Sequence, residues 1–207
     1  MAVIGITGGI STGKSTFCDC LREILPAAKL FNADHAAREL VEFDPGVQKE
    51  LVAEFGPEIF SRDGRLKREQ LRAVVFKNAA KRRALEQILH PRIRRQWSAE
   101  AEKHRKSPDF FFADIPLLYE TGGETLCDRV VVVAGSSTIQ LARLLLRKGT
   151  TRGAAEEMIK SQMSLEEKII RADHVVWNND ERSVLAEQAR LLVDLWRQEK
   201  WTKAGAS

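Results

Sequence analysis

One junction near the N-terminus restricts the fold of this chain more than any other feature. An apolar, strand-like run, Ala2-Val3-Ile4-Gly5-Ile6-Thr7, passes straight into Gly8-Gly9-Ile10-Ser11-Thr12-Gly13-Lys14-Ser15-Thr16. A helical pattern with Phe17, Leu21, Ile24 and Leu25 on one side follows. The glycine segment fits G-x-x-x-x-G-K-[ST], and a strand before it with a helix behind it is the context that makes the pattern a phosphate-binding loop. Such a loop acts through its backbone. Gly8 and Gly13 let the chain turn back without a Cβ clash. Successive amides then face one concavity and form an anion site, to which the helix N-terminus adds donors and dipole. The expected nucleotide-binding set is therefore Ser11, Thr12, Gly13, Lys14, Ser15 and Thr16. Lys14 would reach the β- and γ-phosphates of a nucleoside triphosphate as a point charge, and the Ser15 hydroxyl would ligate Mg²⁺.

With 207 residues, 43% of them hydrophobic, the chain suits one globular domain or one domain with an inserted lobe. No window approaches the ~18 uninterrupted apolar residues of a membrane span. Met1-Ala2-Val3-Ile4-Gly5 lacks the basic start of a signal peptide, so the expected compartment is the cytoplasm, with no membrane partner. Cys18, Cys20 and Cys127 are odd in number and form no C-x-x-C, which argues for reduced, partly buried thiols rather than disulfides or zinc. The histidines are scattered without metal-ligand spacing. The net charge of +4 is unevenly spread: from Arg62 to Arg105 there are fourteen Lys/Arg against five Asp/Glu. That stretch is either a solvated helix face or a lobe that attracts a polyanion. With Phe76 and Trp97 as its only aromatics, phosphates of a small substrate fit it better than nucleic acid does.

Further strand-like runs fall at 28–31, 110–113, 129–134 and 174–177. Val130-Val131-Val132-Val133 reads as a strand buried on both faces. Strands alternating with helical segments predict an α/β fold, a five-stranded parallel sheet of the P-loop NTPase type flanked by helices. Ligands in such sheets bind beyond the C-terminal strand ends, where the glycine loop, Asp34, Asp114 and Asn178 all fall. The gap between the second and third strands reads as helices at 34–42, 46–55, 68–77, 79–89 and 91–105, with Asp63-Gly64 as a turn and Pro91 in a helix's first turn. This predicts a core of 1–33, 108–137 and 172–207 with an inserted helical lobe over 34–107. Within the remaining region, 138–171, the segment from Thr138 to Gln162 is helical on both sides of Lys148-Gly149-Thr150-Thr151 and carries Arg143, Arg147, Lys148 and Arg152. It reads as a mobile lid over the phosphates or as a plain hairpin with solvated arginines. A last helix is expected over about 182–201, with a frayed tail after it.

Residues beyond the loop decide between a hydrolase and a transferase. No guanine-reading N-K-x-D is present; Asn178-Asn179-Asp180-Glu181 lacks the lysine. An acceptor lobe, a cationic lid and a carboxylate for the acceptor hydroxyl point to a small-molecule kinase. Asp34, just past the second strand, can orient that hydroxyl and take its proton, or it can cap the helix that starts there. The pattern leaves both readings open.

The ordered motifs resemble the dephospho-CoA kinase family. The loop is similar to that family's T-G-G-I-G-S-G-K-S. Asn32-Ala33-Asp34-His35-Ala36-Ala37-Arg38 resembles D-A-D-x-x-A-R, Asp63-Gly64-Arg65-Leu66-Lys67-Arg68 with Leu71 resembles D-G-x-L-x-R-x-x-L, and His90-Pro91 with Ile93 resembles H-P-x-I. Asp114-Ile115-Pro116-Leu117-Leu118-Tyr119-Glu120 is similar to D-x-P-L-L-x-E. Gln140 with Arg143, then Arg147 and Arg152, resembles Q-x-x-R and the lid arginines, and Asp173 through Asn179 resembles A-D-x-V-I-x-N. The matches span residues 3 to 180 in order. Ser11-Thr12 stands where Gly-Ser is usual, Asn32 replaces the first acid of D-A-D, and Asp180 replaces a glycine. The resemblance implies transfer of the ATP γ-phosphoryl to the ribose 3′-hydroxyl of dephospho-CoA, with Mg²⁺. It implies Asp34, Lys14 and Arg147 as catalytic residues, and Arg143 and Asn178 at the nucleotide. Ser15 and Asp114 would serve the metal, and Arg38, His90, Arg94, Leu117 and Glu120 the acceptor. For Glu120 and His90 a structural hydrogen-bonding role stays open, as does a plain turn for Asn178. A kinase of a nucleoside, nucleotide or sugar acid is the alternative reading. Oligomeric state is not legible.

Overall fold

The apolar run before the glycine loop becomes β1, Val3–Gly8, buried along its whole length. The computed structural model describes residues 2–147, 149–199 and 201. After the loop, α1 (Lys14–Ile24) buries Phe17, Cys18, Cys20 and Leu21 at helical spacing. Then β2 (Lys29–Asn32) is followed directly by α2 (Ala33–Phe43) and α3 (Pro45–Phe55). Asp44 separates these two helices: its Oδ1 accepts the Gly46 and Val47 amides at 2.8 and 3.1 Å, with Pro45 in the first turn. Next come α4 (Arg68–Lys77) and α5 (Ala79–His104), then β3 (Phe111–Asp114) and β4 (Arg129–Ala134). The chain continues with α6 (Ser137–Leu145), α7 (Arg152–Lys160), α8 (Leu165–Arg171), β5 (His174–Trp177) and α9 (Arg182–Gln198).

The five strands form one sheet in the order β2-β3-β1-β4-β5. β1 pairs parallel with β3 and β4, and β4 pairs parallel with β5. Register places Ile6 beside Asp114 and Gly8 beside Val133, so the loop leaves the sheet between the ends of β3 and β4. Two compact units result, one formed by the residues up to Phe31 and from Glu100 on, the other by Asn32–Ala99. The core of the first includes Ile4, Ile6, Phe17, Phe112, Val131 and Trp196. On α9 the buried residues Leu185, Ala189, Val193 and Trp196 repeat at helical period. The second unit closes over Val41, Val47, Leu51, Ile59 and Leu71. Its chain turns at Gly64, whose φ of 78° is the left-handed region that glycine tolerates.

Two expectations need correction. Pro91 does not open a helix; it lies inside α5, which runs 26 residues without a break. Proline removes the amide that Gln87 O would accept, and packing of Ile88 and Trp97, both buried, outweighs that loss. Arg92 Nη1 donates to the neighbouring Ile88 carbonyl at 2.7 Å. The second correction is α8, a separate helix within the region expected to form the lid. Its signal is local: Ser164 and Glu167 form a reciprocal capping box. Lys148 and the tail expected to fray lie outside the described residues, as does Lys200 in the helix expected to 201.

Candidate active site

Loop geometry follows from where its carbonyls go. Gly13 is left-handed at φ 92° and precedes the first turn of α1, whose amides at Lys14, Ser15 and Thr16 have no partner within the helix. A Cβ on Gly8 would lie 2.3 Å from the Val133 carbonyl oxygen, and one on Gly13 would lie 1.9 Å from Asn178 Nδ2, so only glycine fits at either point. Thr12, wholly buried, donates its hydroxyl to Gly9 O at 2.9 Å. Arg143 on α6 reaches under the loop: Nη1 donates to Thr12 O at 3.2 Å and Ser11 O at 3.4 Å, while Nη2 donates to Asn178 O at 3.0 Å. Asn178 Nδ2 adds a bond to Thr12 O at 2.8 Å. With these carbonyls held from behind, the loop's dipoles present their positive ends on the open side.

Arg143 and Asn178, expected at the nucleotide, thus act on the loop backbone in this structure. Gln140, buried beside them, donates to Gly135 O at 3.0 Å, with its Oε1 close to Gly9. Ser11 is the only non-glycine among the described residues with a positive φ, at 59°. Its hydroxyl is buried without a hydrogen-bond partner. The residue that departs from the usual glycine therefore occupies a glycine conformation.

At the mouth of the loop Lys14 Nζ is paired with the buried carboxylate of Asp114, at the end of β3. Ser15 is exposed on α1 and Thr16 half-buried. Both Ser15 and Asp114 offer hard oxygen donors, the chemistry Mg²⁺ takes when phosphates and waters complete its shell. Leu117 is half-buried in the turn after β3, where its carbonyl accepts the Thr121 hydroxyl at 2.8 Å. Glu120 Oε1 lies 2.9 Å from Lys168 Nζ and accepts the Met163 amide at 3.0 Å. No sequence signal marks Lys168, because a lone lysine in a charged helix reads as solvated. Arg147 is exposed just past α6, and Arg152 opens α7 with an ion pair to Glu156 at 3.0 Å.

In the second unit, Asp34 is exposed in the first turn of α2. It is not the cap: Asn32 Oδ1 accepts the His35 amide at 2.7 Å and does that work. The Asn32 replacement thus supplies a helix cap, and the capping reading of Asp34 falls away. Arg38 lines a cavity of about 780 Å³ with Arg68, Arg72, Val41, Leu71 and Leu85. His90 and Arg94 are half-buried on α5, outside that lining. Burial lowers the His90 pKa below the usual imidazole value, opposed by Glu86, so at neutral pH it offers a hydrogen bond more than a charge.

A family model described as dephospho-CoA kinase matches residues 2–183. The chain belongs to the dephospho-CoA kinase family. It is 42% identical to the dephospho-CoA kinase of Bacillus cereus over 179 residues, covering 86% of this chain and 88% of that one. To the dephospho-CoA kinase of Geobacillus kaustophilus it is 40% identical over 195 residues, covering 93% and 96%. Among solved structures, a dephospho-CoA kinase from Campylobacter jejuni superposes with a TM-score of 0.69 at 25% identity, covering 93% of this chain and 95% of that one. Membership makes the chain a kinase that phosphorylates an alcohol group, on a P-loop fold that implies ATP use. No helix among the described residues is long and apolar enough to cross a membrane.

Proposed function

We propose that the loop from Gly8 to Thr16 holds the triphosphate of ATP while its γ-phosphoryl passes to the ribose 3′-hydroxyl of dephospho-CoA, giving CoA and ADP. The observation that carries this reading is the loop whose Ser11 and Thr12 carbonyls are tied back by Arg143 and Asn178, beside a lysine and a buried aspartate. As the new O–P bond forms and the β,γ-bridging bond breaks, Asp34 takes the hydroxyl proton and ADP carries off the bridging oxygen. Lys14 leaves Asp114 to meet the β- and γ-phosphates. Arg147 approaches the transferring group as the helical pair α6 and α7 closes as a lid. Ser15 and Asp114 would hold Mg²⁺, which when bound neutralises charge on the phosphates. Arg143 and Asn178 serve the nucleotide through the loop. Arg38, His90 and Arg94 contact the acceptor's pyrophosphate, and Leu117 and Glu120 contact the acceptor. Dissolved substrates make the cytoplasm the proposed compartment, with neither nucleic acid nor membrane as partner.

A coupled ADP-release assay over a panel of acceptors tests the reading. Dephospho-CoA should give ADP with stoichiometric phosphate at its 3′ position. ADP release no greater with dephospho-CoA than with water, alongside turnover of a nucleoside, nucleotide or sugar acid, would sink it.

A further inference from the structure

Behind the loop lies a charge that the proposed chemistry leaves unused. Lys168 on α8 is entirely buried, a state lysine almost never adopts unless paired. Its ammonium faces three acceptors: Glu120 Oε1 at 2.9 Å, Pro116 O at 3.0 Å and Gly8 O at 3.4 Å. They match the three donors of an ammonium. The Pro116 carbonyl also accepts the Thr7 hydroxyl at 3.0 Å. The end of β1, the turn after β3 and α8 therefore meet on one positive charge. Apolar side chains of similar volume often fill such a site at no loss of stability, so packing alone does not account for a lysine here.

The peptide plane supplies a reason. A trans peptide is rigid and planar, so the Gly8 carbonyl and the Gly9 N–H point in opposite directions. Drawing that carbonyl inward aims the Gly9 amide outward. We infer that Lys168 is a positioning residue for the nucleotide: it fixes the first peptide of the phosphate loop so that the Gly9 amide faces the anion. This rests on the loop being the ATP site. Glu120 Oε1 is its counter-charge, which keeps the buried ammonium from standing alone.

The test compares Glu120→Gln with the double variant Glu120→Gln/Lys168→Met, because the double leaves no orphan carboxylate and no orphan ammonium. Relative to the single variant, the double should raise KM for ATP about 10- to 100-fold with a smaller change in kcat. The ATP-induced rise in Tm should shrink with it. Lys168→Gln, which keeps two donors, should recover part of the ATP affinity. In glycine-labelled wild-type protein the Gly9 amide resonance should move on adding ATP, and in Lys168→Gln it should move less. Equal KM values and equal ATP-induced Tm shifts in the single and double variants, even with a lower baseline Tm, would reduce Lys168 to a structural ion pair. An unmoved Gly9 resonance while neighbouring loop amides shift would overturn the inference without touching the ATP site. A wild-type protein with no ATP-dependent rise in Tm would overturn the reading of the loop itself.

Discussion

Ser11 is the residue at which this chain disagrees with its own backbone. A left-handed φ costs a non-glycine residue roughly 1–2 kcal/mol, and its buried hydroxyl finds no acceptor. Ser11→Gly removes both penalties but frees the unfolded chain, a cost of about 0.5–1 kcal/mol. The expected net is a gain of about 0.5–1 kcal/mol in urea unfolding, with KM for ATP no worse. Asp34 calls for the opposite experiment. Asn32 already caps α2, so Asp34→Asn should leave Tm nearly unchanged and lower kcat by about 10²–10⁴. Near-normal turnover would remove it from the chemistry. His174 gives a pH signature. Burial against Trp196 lowers its pKa, opposed by Asp173 and Glu199, and its Nε2 is buried without a partner. The unfolded chain therefore binds a proton at higher pH than the folded one, and stability falls as pH drops below the ordinary histidine value. His174→Phe should flatten that decline in Tm, leaving the part due to His90, whose pKa is lowered the same way.

Elements whose signals are local are legible in the sequence. Glycine loop, apolar strand and amphipathic helix follow from neighbours within a few residues, which is why β1, α1, β4 and α9 lie where their patterns indicate. The Gly64 turn belongs to the same class. α5 breaks the rule: proline's local penalty predicts an interruption that burial of Ile88 and Trp97 overrides. Pro91→Ala restores an amide for the Gln87 carbonyl and should stabilise the chain by about 1–3 kcal/mol. Thermal unfolding checks it, and a loss of stability would mean the ring packs better than a helical bond. α8 shows the converse, since the capping box of Ser164 and Glu167 is a local signal that marks a helix start inside the expected lid.

For the molecule as a whole, nucleotide binding should appear as stability. A ligand that binds only the folded state at about 100 times its Kd adds roughly 2.7 kcal/mol, so ATP with Mg²⁺ should raise Tm while Lys14→Ala abolishes most of the rise. An equal rise in the Lys14→Ala protein would contradict the phosphate-loop assignment. In the sequence alone, periodicity and loop glycines predict an α/β P-loop fold and the ordered motifs resemble the dephospho-CoA kinase family, because all of these are properties of short segments. What lies behind the loop was decided only in three dimensions. Arg143 meets the Thr12 carbonyl across 131 residues, Lys168 meets Gly8 across 160, and Asn178 meets Thr12 across 166. The sequence marks Arg143 and Asn178 as residues of the nucleotide site, but it does not mark Lys168 or the backbone carbonyl that each of the three meets, because those become adjacent only when the parallel sheet brings the ends of its strands together.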